Sequence, residues 1–576
     1  MSLLLKKVER PRELKWYQAG SMLYGDWGTS KAYTLGIAFA LAGHASWLLL
    51  GLMSVLMCFV GLSYMIICKV YPDGGGVYSS VKQRSQTLAV FGAFLLVADY
   101  VVTASLSALD AFHYFNVPNP EVWAIVAILV IGLINWFGPS KGGNLAAIIA
   151  ICASLAVVVL FLFTTPHLAN VQLEWPTGGF GTNWTRFVGI ILALSGVEAI
   201  ANMTGIMVQP VEKTAKKAIW VVMLEVSILT FLLGIAMNSV PGLSNNHTED
   251  MLRALGNHFI APWFGHLISF VFGMLLLSAV NTAITGLVSI QFALAKDREL
   301  PSQFAKLNRY GMPALSLIIA AAVPAVVLIF EHDMVALAAL YAIGVAGAIT
   351  LNLGTCATNW KIKLSRRERI LLTVVSLVML FIEMTICIQK QNALLFVASV
   401  LVVGFILRYV ARHLIPVPVP IIVPAASVLT VSEAKEIAPL YHGSALVALK
   451  GFNPNILNDA ALRAKALHEN AVYLNYVEEI PALTELPDEI EPSHESLELL
   501  AKAERELEPT GLTVVPVWQV GSNPGKMIAH AARELGISTV MIGTTKRSAL
   551  VSLLRGDVLR NLATHLPKNC RILING

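Results

Sequence analysis

Long apolar runs separated by short polar stretches fill the first 412 residues. About twelve of them reach or approach the ~20 residues needed to span a bilayer. They lie near 17–40, 46–69, 88–113, 121–138, 144–165, 185–206, 218–240, 260–294, 313–331, 335–355, 369–388 and 393–412. The pattern predicts an all-α polytopic membrane domain over 1–412. Two runs are interrupted by glycine beside a carboxylate. The first carries Gly25-Asp26-Trp27-Gly28, and the sixth carries Ser195-Gly196-Val197-Glu198. Beyond Arg412 the pattern changes. A Pro-rich linker is expected over 413–440, because 415–424 alternates proline with branched apolar residues and so stays extended. From 441 to 576 short apolar runs (444–450, 471–477, 512–518, 538–542, 571–574) alternate with helical patterns (456–469, 494–507, 523–535, 548–563). That alternation predicts a parallel α/β domain, with a flavodoxin-like layout.

Composition agrees with a membrane protein. The chain is 56% hydrophobic and 13% charged, with a mean hydropathy of +0.68. Soluble domains carry about 25% charged residues. The net charge of +5 is mild and calls for no nucleic acid. Lysines and arginines crowd alternate loops (Lys6, Lys7, Arg10, Arg12 and Lys15; Lys213, Lys216 and Lys217; Lys361, Lys363, Arg366 and Arg367). The positive-inside rule then places both termini in the cytoplasm of a multi-pass plasma (inner) membrane protein. The first apolar run is too long for a signal-peptide core. The 6 cysteines are scattered, with no CxxC or Cys/His cluster, so neither disulfides nor a resident metal are expected. No Ser/His/Asp or zinc pattern points to an enzyme.

Four constellations carry candidate chemistry. Asp26 stands between Gly25 and Gly28 at membrane depth, where a charge is costly and usually kept for function. Glycines there let a helix unwind and expose backbone groups to a solute. Tyr33 lies two helical turns on and shares its face, while Lys31 points elsewhere if the helix continues. Asp26 as a mere helix cap is the alternative, but a serine would serve at far lower cost in lipid. In the third segment Asp99, Thr103 and Ser107 step by four along one face. Their hydroxyls suit a hard cation, or else only bond neighbouring helices. Asp99 is expected nearer the cytoplasmic end. Ser195 and Glu198 share a face beside Gly196. A lone carboxylate in lipid suits a proton carrier; pairing with Lys31 for packing is the other reading. Asn281 and Thr282 in the eighth segment are a candidate second cation site or ordinary polar packing. Glu225 and Glu383 read as lone structural carboxylates, and His44 as solvated. Gly74–Gly76 reads as a turn, since no phosphate-loop Lys-Ser/Thr follows.

The membrane part resembles the amino acid–polyamine–organocation superfamily. The motifs are Tyr71-Pro-Asp-Gly-Gly-Gly-Val-Tyr78, Gly196-Val-Glu-Ala-Ile-Ala-Asn202 and Ala295-Lys-Asp-Arg-Glu-Leu-Pro-Ser-Gln-Phe304. The resemblance implies the LeuT fold, two inverted five-helix repeats plus two helices, with the site at broken helices one and six. Tyr24-Gly-Asp-Trp-Gly-Thr-Ser-Lys-Ala-Tyr33 is similar to the first helix of KUP-type potassium importers, including the KimA-like branch. That resemblance implies potassium and proton sites at Asp26, Tyr33, Thr103, Ser107, Ser195 and Glu198, with Asp26 and Glu198 in proton coupling. Lys31 departs from the group, which has an uncharged residue there. The tail resembles the universal stress protein family. Gly543-Thr-Thr-Lys546, Arg547 and Gly556-Asp557 lie where ATP-binding members have a longer glycine-rich motif. The expected contacts of a regulatory nucleotide, ATP or a cyclic dinucleotide, are Gly543, Lys546, Arg547 and Gly556. Homodimerisation through the tail is also implied. A proton-coupled potassium importer is thus the first expectation. A proton-coupled amino acid or amine permease, and a nucleotide-sensing membrane protein, are the alternatives.

Overall fold

The computed structural model describes residues 6–7, 12–138, 143–243, 247–308, 310–414, 428–479, 489–490, 492–543 and 557–575. After a two-residue strand β1 (Lys6–Lys7), the membrane part runs α1 (Trp16–Trp27), α2 (Ser30–Ala42), α3 (Ser46–Val70), α4 (Val77–Lys82), α5 (Gln86–Tyr114), α6 (Pro120–Trp136), α7 (Gly143–Thr164), α8 (Phe180–Val188) and α9 (Ala199–Asn202). It continues with α10 (Val211–Ala236), α11 (Met251–Phe259), α12 (Pro262–Lys296), α13 (Ala314–Phe330), α14 (Met334–Thr358), α15 (Arg366–Gln389) and α16 (Gln391–Tyr409). Among the described residues, 8 stretches are long and apolar enough to cross a membrane, or 9 if Phe180–Val188 and Ile191–Ile206, bent by 45°, form one. One of the 8, Trp16–Val70, takes in two of the runs expected from sequence. The helices α6 and α13 are apolar but only 17 residues long. Exposed Leu, Val, Ile and Phe side chains cover the outer faces of α6, α7, α15 and α16, the surface a lipid-bathed bundle presents. The chain is a multi-pass membrane protein.

Local signals set the helix ends. The Ser85 hydroxyl accepts from the Leu88 N–H at the start of α5. Ser365 and Glu368 form a reciprocal capping box on α15. Helix α5 crosses the centre, packed on α12 and α14.

The tail comprises α17 (Val431–Ile437), β2 (Ala445–Leu449), α18 (Pro454–Ala466), β3 (Ala471–Glu479), β4 (Glu489–Ile490), α19 (His494–Leu507), β5 (Thr513–Gly521), α20 (Pro524–Glu534), β6 (Thr539–Gly543), α21 (Val558–His565) and β7 (Arg571–Asn575). Its five-stranded parallel sheet has the order β5-β3-β2-β6-β7. Counted within the tail this is 3-2-1-4-5, the order of dinucleotide-binding sheets and not the flavodoxin-like 2-1-3-4-5. Strand–helix alternation fixes the right-handed crossovers but not the side on which each new strand is laid, so the pattern alone does not yield the order. The linker assignment 413–440 also takes in too much. Leu429 bridges to Val517, and Val431 and Ala434 are buried in the tail's core. Residues 428–440 therefore belong to the tail fold.

Tail and membrane part are in contact. Phe292, near the end of α12, is buried in the core shared by β2, β3, α18 and α19. Lys296 pairs with Glu478 at 3.3 Å. The N-terminal stretch reaches the same body: β1 pairs antiparallel with β4, Lys6 pairs with Glu433 at 3.0 Å, and Glu13 pairs with Lys526. The stretch 295–304 forms a clamp beside it. Asp297 holds Lys82 at 2.5 Å, and the fully buried Glu299 holds Arg408 at 2.5 Å and Arg412.

Candidate functional site

The interruption between α1 and α2 is small. The Thr29 N–H donates to the Asp26 carbonyl at 3.2 Å, and the Ala32 N–H to the Thr29 carbonyl at 2.8 Å. Hydrogen bonds thus shift from four-residue to three-residue spacing across one turn. The unwinding expected at Gly25 and Gly28 is confined to that turn: Gly25 is inside α1 and Gly28 caps it. The Thr29 hydroxyl occupies the Asp26 carbonyl as well, at 2.5 Å. The second interruption is larger. Residues 191–194 form a tight helical turn, Ser195 leaves helical geometry, Gly196 has φ +88°, and Glu198 is helical again. A Cβ on Gly196 would stand 2.6 Å from the Trp27 nitrogen and 2.7 Å from the Asp26 carboxyl carbon. Glycine therefore serves twice here, for the left-handed backbone and for the close crossing of the two breaks.

Around that crossing the structure gathers three buried carboxylates: Asp26, Asp99 and Glu198. Asp26 lies against the Ser195 hydroxyl. Tyr33 faces Thr29 and Ser195 and is within electrostatic reach of Asp26. Tyr341 of α14 donates to the Ser195 hydroxyl and faces Asp99. The Thr103 hydroxyl donates to the Asp99 carbonyl at 2.9 Å and contacts its Oδ1 at 3.3 Å. The N–H groups of Gly196 and Glu198 face the Glu198 carboxylate, which lies beside Asp99 and near Asp26. Asp99 Oδ2 and Glu198 Oε2 are buried without a hydrogen-bond partner among the described residues. Ser107 is buried one turn along α5 from Thr103.

Of the residues named from sequence, Asp26, Tyr33, Thr103, Ser195 and Glu198 meet at this centre. Asp99 joins them: it lies in the middle of α5 and not near one end, and α14 packs Gly344 on its backbone, where a Cβ would be 2.8 Å from the Asp99 nitrogen. Asn281 and Thr282 do not join. The Asn281 side-chain oxygen accepts from Asn135 at 2.8 Å, and the Thr282 hydroxyl donates to the Ser278 carbonyl at 3.1 Å. Thr282 instead lines a separate cavity of about 50 Å³ with Tyr78, Tyr100 and Asn202. Tyr341 escaped sequence reading, since nothing in its surroundings on α14 marks it. Asp99 stood on the Thr103–Ser107 stripe, which was the available signal. The glycine turn is more than a turn: the Gly75 N–H donates to the Ala201 carbonyl at 3.1 Å and ties it to the second break.

Three further expectations are corrected. Glu198 does not pair with Lys31, and Glu225 is not alone. The Lys31 ammonium lies 2.7 and 2.6 Å from the two Glu225 oxygens and 3.3 Å from the Tyr24 hydroxyl, which donates to Glu225 at 3.0 Å. Lys31 is the one fully buried basic side chain among the described residues. His44 is not merely solvated either; its Nδ1 lies 3.1 Å from the Asn238 oxygen.

In the tail, Gly543 ends β6 beside β2, where the strand order reverses and doubly wound folds bind ligands. Lys546, Arg547 and Gly556 lie outside the described residues.

Comparison with known proteins agrees with this architecture. Residues 14–426 match the amino acid permease family, and residues 452–573 the universal stress protein family. The potassium transporter KimA of Bacillus subtilis (strain 168) is 26% identical over 60% of this chain and 61% of its own length. The gamma-aminobutyric acid permease of the same strain is 22% identical over 40% of this chain and 52% of its own. A probable potassium transport system protein Kup of Janthinobacterium sp. (strain Marseille) is 27% identical over 32% and 35%. The chain thus spans about three fifths or less of the length of these relatives. It belongs to the amino acid permease family of membrane transporters, with a universal stress protein-type region behind the transporter part.

Proposed function

We propose that this transporter takes up potassium by alternating access, driven by protons. The observation that carries the reading is the charge of the centre. Three carboxylates converge in a buried site, and the one buried lysine among the described residues is committed to Glu225. In low dielectric such a cluster needs a bound cation or a proton to balance it. Asp26, Tyr33, Thr103, Ser107 and Ser195 then supply oxygens to the ion, and Glu198 with Asp26 carries the proton. Asn281 and Thr282 remain assigned to helix packing in this reading.

Twelve crossings and the LeuT architecture fit best. The stretch Trp16–Val70 counts as two spans, the bent pair as one, and α6 and α13 as one each. Contact of both the N-terminal stretch and the tail with one side requires an even number of crossings, and the lysine-rich loops put that side in the cytoplasm of the plasma membrane. The membrane unit then occupies 1–412 and the tail 428–576. The tail serves dimerisation and regulation by a nucleotide such as ATP or a cyclic dinucleotide at the reversal of its strand order.

Similarity to a gamma-aminobutyric acid permease keeps a second reading, an amino acid or amine permease. In that case the amides freed by the helix break would bind the substrate carboxylate. Here the amides of Gly196 and Glu198 already face the Glu198 carboxylate, which favours a cation lacking a carboxylate. Glu198→Gln is the test. It should abolish proton-driven rubidium uptake in proteoliposomes, and unchanged uptake removes Glu198 from proton coupling.

A further inference from the structure

Helix α5 carries polar residues beyond the central cluster. Asp99, Thr103, Ser107, Asp110 and Tyr114 follow at spacings of four, four, three and four, so one stripe runs toward the C-terminal end of α5. That end faces away from the tail. Gln86 at the start of α5 bonds Glu299 just past α12, whereas Phe115 past its end packs at Gly273 in the first half of α12. Asp110 is 0% exposed, and neither of its carboxylate oxygens has a hydrogen-bond partner among the described residues.

The groups facing it are known. Tyr33 and Tyr114 are within electrostatic reach of Asp110, and so are Glu249 and Asp250 in the loop before α11. Those two loop carboxylates are partnered: Glu249 with His113 at 2.8 Å, and Asp250 with His247 at 2.9 Å and Arg253 at 4.0 Å. Asp110 is thus the one carboxylate of the three with no partner among the described residues. The loop packs tightly on α2: a Cβ on Gly36 would collide with the carbonyl oxygens of Thr248 and His247. Tyr33 connects the two places, reaching Asp26 on one side and Asp110 on the other.

We propose that Asp110, capped by the 247–250 loop, is an outer staging site for a monovalent metal cation on its way to Asp26. A lone carboxylate matches one alkali ion and not a divalent one, which would seek several carboxylates. The inference rests on reading the chain as a cation transporter.

The test is radioactive rubidium binding to the purified full chain. The Asp26→Asn variant should still bind rubidium, and the Asp26→Asn/Asp110→Asn variant should not. In proteoliposomes Asp110→Asn should raise the KM for external rubidium by about tenfold or more. Asp110→Glu, which keeps the charge, should retain binding and controls for folding. Loss of all binding in Asp26→Asn, or equal binding by the single and double variants, overturns the site. Binding by Asp26→Asn that the double variant loses, in a chain whose wild type accumulates no rubidium, would defeat the transport reading and still uphold the site.

Discussion

Removing one partner of the Lys31–Glu225 pair is the sharpest structural perturbation available. The ammonium is fully buried, its partner is 14% exposed, and both oxygens lie within 2.7 Å. Glu225→Gln leaves a buried cation facing only an amide and the Tyr24 hydroxyl and ring, the ring centroid being 5.0 Å away. An uncompensated buried charge costs about 3–5 kcal/mol. Lys31→Met should cost a similar amount by stranding Glu225, somewhat relieved because that carboxylate can reach the bundle edge. The double variant Lys31→Met/Glu225→Gln should recover most of the loss, since apolar replacement of a buried pair is often neutral. The coupling energy should then sit at or above the upper end of the ~0.5–3 kcal/mol seen for contacting residues. Thermal unfolding of the three variants in detergent measures it. Rubidium uptake by the double variant gives a second readout. If the pair is structural, uptake survives; if Lys31 stands in for the transported cation, uptake changes in KM or disappears. Additive losses in stability, or lost uptake in a well-folded double variant, would refute the reasoning.

Other consequences follow from the same geometry. Gly196→Ala should abolish transport and cost about 1–3 kcal/mol from backbone strain alone, because the left-handed backbone and the Asp26 contact leave no room for a Cβ; native-like uptake would contradict it. Glu299→Gln should destabilise the fold by about 3 kcal/mol by leaving the largely buried Arg408 without its carboxylate, the exposed Arg412 adding little, read as a lower unfolding temperature. Glu433 gives a pH prediction. Burial works against its charge, but the Thr430 N–H and the Lys6 ammonium outweigh burial and hold its carboxyl below the usual carboxylate range. A depressed folded value stabilises above the unfolded carboxyl range near ~4.3 and is lost as pH falls through the folded value. Hydrogen-exchange protection over 428–440, taken relative to the intrinsic exchange rate at each pH, should therefore fall on acidification and stay flat between neutral and mildly alkaline pH.

What the sequence made legible was local. Carboxylates beside glycines at membrane depth marked both breaks, and spacing of four put Thr103 on the face of Asp99. The tail strands followed from short apolar runs, each within a few residues of its place. What stayed hidden depended on pairing across long separations. Lys31 and Glu225 are 194 residues apart, and Tyr341 meets Ser195 across 146. No local pattern on α14 or α10 announces either contact. The sheet order was hidden for a related reason, since alternation constrains handedness but not the direction in which strands are added.

The measurement that bears most directly on the account is uptake by purified protein in proteoliposomes, with rubidium and a mixed pool of labelled amino acids, under an inward proton gradient. The account predicts gradient-dependent rubidium accumulation that Asp26→Asn abolishes. Accumulation of amino acids without rubidium would contradict it and make the acidic centre a seat for an amine.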